Sequence, residues 1–453
     1  MKITHLIAGF YLFASLFIFE PLFAQTVNTD PTIVNMVSEV KTANLETTVN
    51  KLVSFGTRHA LSDVNSNTRG IGAAQKWVKS QFDEYAKASD GRLTSSIDYF
   101  WVKADGKRIM KDAKMANVMA VLKGTDPTDN RVIIISGHLD SRATDIMDTR
   151  SDAPGADDDG SGVAAVMELA RIMSKHTFPC TLIFVAVSGE EEGLFGSKYL
   201  ADSAKVAHWN VVAMLNDDII ANSLSSGTGL KENTKVRVFS ETIPYAETPE
   251  EARMRKATNR ENDSPSRELA RYIKTVTEQY VDQLHVDLVY RVDRFLRGGD
   301  QMSFSMDGFT AVRFCEMDEN FDHQHQNVRV ENSIEYGDLP KFLDYEYARK
   351  ITCSNLATMS NLAWAPAAPV AVDIEVKDLT NSSTLVWQAP TGEKPYGYQI
   401  LIRETSAPQW QKTIFVKDTK ATIPYSKDNY FFAVQSVDIL GHASLPVFPV
   451  VVR

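Results

Sequence analysis

The chain has 453 residues, 43% of them hydrophobic and 23% charged, a globular composition with room for a large core and a second domain. A formal charge of -10 runs against the basic footprint of nucleic-acid binders, so no nucleic-acid partner is expected. Cys180, Cys315 and Cys353 are the only cysteines; an odd number excludes complete pairing, and each is read as a small buried hydrophobe.

In chain order, the first feature is Lys2 followed by an apolar stretch from Leu6 to Phe19, then Pro21 and the small residue Ala24. This pattern predicts a signal peptide over residues 1–24 and a mature chain from about Gln25, exported to the periplasm or secreted. The stretch is short of the roughly 20 apolar residues a spanning helix needs, so stable membrane insertion is not expected.

From there to residue 365 strands and helices alternate. RVIIIS (131–136), TLIFVAVS (181–188), VVAML (211–215) and FTAVRF (309–314) are continuous apolar runs, as expected for strands covered on both faces of a mainly parallel sheet. SGVAAVMELARIMSKH (161–176) and SPSRELARYIKTVTEQYV (264–281) read as helices, the second with Ser264 and Pro265 as start signals. The expected fold class is α/β, a mainly parallel mixed sheet flanked by helices, over residues 25–365. APAAP (365–369) then marks a boundary. Beyond it, short alternating runs with turn residues at intervals of about 8 to 12 predict a small all-β sandwich over 366–453, and with Trp387, Tyr398 and Tyr430 that segment resembles a fibronectin type III module.

Each buried strand ends at a polar cluster: GHLDS after the first, GEEEGLFGS after the second, NDDII after the third, and CEMDENFDHQHQNV after the fourth. In open α/β sheets ligands gather outside the carboxyl ends of the strands, so these clusters are expected to meet. Two imidazoles and at least three carboxylates in one place repel and lose hydration unless cations lie among them. Nitrogen and carboxylate donors together suit zinc, and this many carboxylates suit two ions.

GHLDS, APGADDDGSG, GEEEGLFGS, LNDDII and FDHQHQNV, in this order, resemble the co-catalytic zinc aminopeptidases of metallopeptidase family 28 in clan MH, over roughly residues 45–360. The resemblance implies two Zn2+ per chain and peptide substrates. Asp158 would bridge the ions, with His138 and Asp218 on one, Glu191 and His323 on the other. Glu190 would be the general base acting on the bridging water, and Asp140 would hold the His138 imidazole. In the family's register Glu192 is left to solvent, Asp218 is preferred to Asp217, and His323 to His325. Gln301 stands where many members have histidine, and Arg297 is the candidate for stabilising the oxyanion.

Other readings keep the zinc and change the substrate: a carboxypeptidase, dipeptidase or deacylase of the same clan, the first needing a cationic clamp from Arg142, Arg297 or Arg313. Asp157, Asp159, Ser161, Gly162 and Glu168 also match the letters of an EF-hand loop, but Pro154 and Gly155 leave no room for its entering helix. A binding protein carrying an inactive peptidase is disfavoured by the intact ligand set. Oligomeric state and side-chain preference are not legible.

Overall fold

The computed structural model describes residues 29–452 apart from 378 and 393, so the apolar stretch and cleavage site of the expected signal peptide lie outside the described residues. Among the described residues no helix is long and apolar enough to cross a membrane.

The main sheet has eight strands: β1 (Leu93–Val102), β2 (Ala113–Leu122), β3 (Arg131–His138), β4 (Thr181–Val187), β5 (Asn210–Asp217), β6 (Lys235–Phe239), β7 (His285–Val289) and β8 (Ala311–Glu316). Their order is β1-β2-β4-β3-β5-β8-β6-β7. The centre, β4-β3-β5-β8, is parallel throughout. β1 and β2 add an antiparallel hairpin at one edge, and β6 joins β8 antiparallel at the other.

The continuous apolar runs follow from two-sided burial. Ile133 and Ile135 of β3 enter the larger core, while Ile134 between them enters the smaller core on the opposite face. β4 repeats this, with Leu182, Phe184 and Ala186 on one side and Ile183, Val185 and Val187 on the other. Helices Gly160–Met173, Pro265–Tyr280 and Tyr345–Trp364 cover the first face, and Phe195–Val206 covers the second. Pro265–Tyr280 begins as its sequence predicts, Ser264 accepting the Arg267 N–H at 3.1 Å.

Beyond residue 369 the chain forms a four-stranded and a three-stranded sheet. They share a core built from Val372, Ile374, Leu385, Trp387, Tyr398, Ile400, Ile402, Phe432 and Val434. The strands expected from the alternating runs are present, with only Val450–Val452 of the last run forming a strand. This region docks on helix Pro265–Tyr280 through buried charge. Arg403 meets Asp263 at 2.5 Å, Arg271 pairs with Asp263 and Glu268, Trp410 Nε1 donates to Glu268, and Arg271 Nε donates to the Pro408 carbonyl.

Candidate metal centre

The polar clusters meet where expected, at the carboxyl ends of β3, β4, β5 and β8. His138 closes β3, the turn after β4 carries Glu190 and Glu191, Asp218 follows β5, and the loop after β8 returns His325. Two groups of donor atoms result, His138 with Asp158 and Asp218, and Asp158 with Glu191 and His325, each lying within 4.8 Å. Asp158 belongs to both. Its Oδ1 is 2.9 Å from His138 Nε2 and its Oδ2 is 2.8 Å from His325 Nε2. His325 Nε2 also stands 2.9 Å from Glu191 Oε1, and His138 Nε2 is 3.8 Å from Asp218 Oδ1.

One expected member is replaced. The structure brings His325 to the cluster, not His323, whose ring stacks on Phe342 with centroids 3.7 Å apart. His325 adopts a left-handed backbone, φ 56°, which turns its side chain inward in a way that spacing alone does not reveal. Glu192 is a second correction: instead of facing solvent it is buried, 3.2 Å from His59 Nδ1.

The segment GADDDGSG enters the site by a close approach of backbone. A Cβ on Gly137 would lie 2.6 Å from the Gly162 carbonyl carbon, so the end of β3 and the helix start touch through glycine. Asp159 caps that helix by accepting the Gly162 N–H and also accepts the His138 N–H at 2.8 Å. The Asp158–Asp159 peptide bond is cis. Asp157 is buried and accepts the Ala221 N–H. Glu168 is held by Arg171 and Asn44, so the EF-hand letters do not form a common site.

Asp140 meets the His138 imidazole through its backbone. The His138 ring faces the Asp140 backbone carbonyl, Nδ1 to O 3.0 Å, while the carboxylate lies 3.9 Å from that nitrogen. The carboxylate instead accepts the N–H groups of Gly189 and Glu191 at 2.8 and 3.1 Å, fixing the turn that presents Glu190 and Glu191. Asp217 turns away into the core, where Asn355 donates to it. The side chain of Asp218 meets Arg313 at 2.9 Å, and Arg313 in turn meets Asp293.

Electrostatics set the cluster apart from a solvated acidic patch. Burial opposes ionisation of Asp158, yet His325 and His138 hold its carboxyl well below the ordinary value. Burial likewise disfavours a charged His325, but Glu191 and Asp158 push its imidazole up to about 10. Glu190 is raised well above the carboxylate range, by burial first and then by Asp218, Glu191 and Asp300 against the pull of His138. Two imidazole nitrogens and three carboxylates, one of them the shared Asp158, fit a pair of zinc ions in donor type and number.

The cluster opens into a cavity of about 400 Å³ lined by His138, Glu190, His325, Leu296, Arg297 and Arg142 among others. Arg297 lies at this opening with its guanidinium donating to Glu319 at 2.5 Å. Gln301 is buried and donates to Asp293 and to the Val292 carbonyl. Two supporting residues escaped the sequence reading. Asp338 accepts the N–H groups of Asp157 and Asp158, and Gln324 donates to Asp158 Oδ2. Asp338 lies in none of the quoted motifs, and Gln324, although inside FDHQHQNV, was given no role there; only the fold reveals what both do.

A mixed sheet with such a cluster at its strand ends defines an α/β protein with a candidate metal centre. Residues 117–344 match the model of Peptidase family M28, and the chain belongs to that family. It is 43% identical over 415 residues to a probable zinc metalloprotease of Leptosphaeria maculans, covering 91% of this chain and 96% of that one. A probable zinc metalloprotease of Pyrenophora tritici-repentis is 43% identical over 418 residues, covering 91% and 86%. In fold the chain is similar to LapB of Legionella pneumophila (TM-score 0.52, 19% identity, 74% of this chain and 76% of that one). The LapA aminopeptidase of the same organism gives a TM-score of 0.51 at 21% identity over 73% and 74%.

Proposed function

We propose that the protein is an exported zinc aminopeptidase that removes the N-terminal residue of peptides. The observation that carries this reading is the sharing of Asp158 between two donor groups of three residues each, beside a cavity of about 400 Å³. His138 and Asp218 would hold one Zn2+, Glu191 and His325 the other, with Asp158 common to both. Bound there, zinc would supply Lewis acidity, lowering the pKa of water and polarising the scissile carbonyl.

The chain's own groups do the rest. Glu190, which lines the cavity next to Glu191, takes the proton released by the attacking water and delivers it to the departing amine. Asp140 fixes the turn that aims Glu190 and, through its carbonyl, the His138 ring. Arg297 faces the opening and lends positive charge to the oxyanion, shared in part with Glu319. Export rests on the Leu6–Phe19 stretch, and residues 366–453 are read as a fibronectin type III-like accessory domain.

The test is turnover of aminoacyl-arylamides against N-blocked peptides, alongside metal analysis of the purified protein. Release of free amino acid with two zinc ions per chain supports the reading. Cleavage of blocked peptides alone, or a single ion at full activity, defeats it.

A further inference from the structure

The opening above the metal cluster carries four arginines, Arg108, Arg142, Arg294 and Arg297, and its carboxylates are those of the cluster and Glu190. Two of the four are neutralised from behind. Arg294 pairs with Asp293 and Glu319, and Arg297 with Glu319. Arg313, deeper still, is fully buried between Asp218 and Asp293. Arg108 and Arg142 have no carboxylate partner among the described residues.

Both are nonetheless held in place. Arg108 sits in the turn between β1 and β2, where Asp105 Oδ1 accepts the N–H groups of Lys107, Arg108 and Ile109. Its Nη1 then reaches across to the Glu191 carbonyl at 2.6 Å, which puts the guanidinium beside a prospective metal ligand. Arg142 follows Asp140 by two residues and is half-buried, its Nε and Nη2 donating to the carbonyls of Ala143 and Thr144. A guanidinium offers five donors in a planar fork, so each retains N–H groups beyond the carbonyls it already meets. Fixed cations without counter-charges, at the mouth of a concave site, select an anion.

We propose that Arg108 and Arg142 receive a carboxylate of the substrate and make this a peptidase selective for carboxylate-bearing short peptides. The proposal rests on the peptidase reading above and specifies the substrate class for the same site. The carboxylate has two chemical sources, the side chain of an acidic residue or the free C-terminus of a di- or tripeptide. The guanidinium recognises both in the same way.

The experiment measures kcat/KM of the zinc-loaded enzyme on two matched pairs. Glutamyl- and glutaminyl-arylamide differ only in a side-chain carboxylate, and Leu-Leu and Leu-Leu-amide only in the C-terminal one. The expected result is at least a ten-fold preference for the acid in one pair, identifying the source, and collapse of that ratio to within about two-fold in Arg108→Gln and Arg142→Gln. Arg108 is exposed, so its variant keeps the test sound should Arg142→Gln fold poorly. Equal turnover within both pairs, or a preference that survives in both variants, overturns the proposal while leaving the peptidase reading intact. Failure to cleave any of the four compounds tells against the peptidase reading instead.

Discussion

His323 lies flat against Phe342, ring centroids 3.7 Å apart and planes 12° from parallel, while His325, two residues on, points at Asp158 and Glu191. The pair separates a ligand from a packing residue with one substitution each. His325→Ala is expected to lose one zinc ion and at least 100-fold in kcat, since even indirect support of a metal ligand is worth 10- to 100-fold. His323→Ala is expected to keep both ions. Zinc determination on the two purified variants decides the matter, and loss of metal in the His323 variant alone would restore the family's register.

Replacing Glu190 by Gln keeps the shape of the side chain and removes its ability to take a proton. The expected outcome is a drop in kcat on the order of 10² to 10⁴ with zinc content unchanged. A variant that retains wild-type kcat would falsify the assignment of Glu190 as the base.

Glu241 gives a pH dependence outside the metal centre. Burial raises its carboxyl from 4.5 to about 7 despite hydrogen bonds from Ser266 and the Tyr245 backbone and the charge of Arg267. The folded state therefore binds this proton more tightly than the unfolded state does, and stability falls as pH rises from 4.5 through 7. Glu241→Gln removes the penalty. Its melting temperature is expected to exceed wild type at pH 8, by about 1–3 kcal/mol of stability, with the gap shrinking toward pH 4.5. Parallel melting curves across that range give the comparison, and a constant gap would count against it.

The buried charges between helix Pro265–Tyr280 and the C-terminal sheets make those sheets part of the fold's stability. Arg403→Ala leaves Asp263 with Arg271 alone in a buried setting. A cost of about 3–5 kcal/mol is expected, because removing one partner strands the other away from water. Urea denaturation would measure it. Deleting residues 366–453 would expose Glu268, Asp263 and Arg271 together and is expected to yield insoluble protein.

The central strands were legible because two-sided burial writes itself as an unbroken apolar run, and the gathering of polar clusters at their ends follows from the sheet rule. The outer strands were not. β1 (LTSSIDYFWV) is an edge strand with Tyr99 and Trp101 exposed, so neither a continuous nor a cleanly alternating pattern marks it. At the site, Asp158, Glu191 and Asp218 sit beside regular elements, which bring them together at the strand ends. His325 lies in a loop whose left-handed turn is set by tertiary contacts, and the same ignorance of packing left Glu192 to solvent. Asp140 was found as a residue, but which of its oxygens meets the imidazole was not legible, because a carbonyl and a carboxylate of one residue cannot be told apart by position.

The Asp338 carboxylate, which accepts the N–H groups of Asp157 and Asp158 from 180 positions away, ties the shared ligand to a part of the chain made much later. A ribosome that has emitted every strand from β1 to β8 has not yet supplied this clamp. The geometry around the shared ligand thus rests on a contact of long sequence separation, which closes only as the whole domain folds.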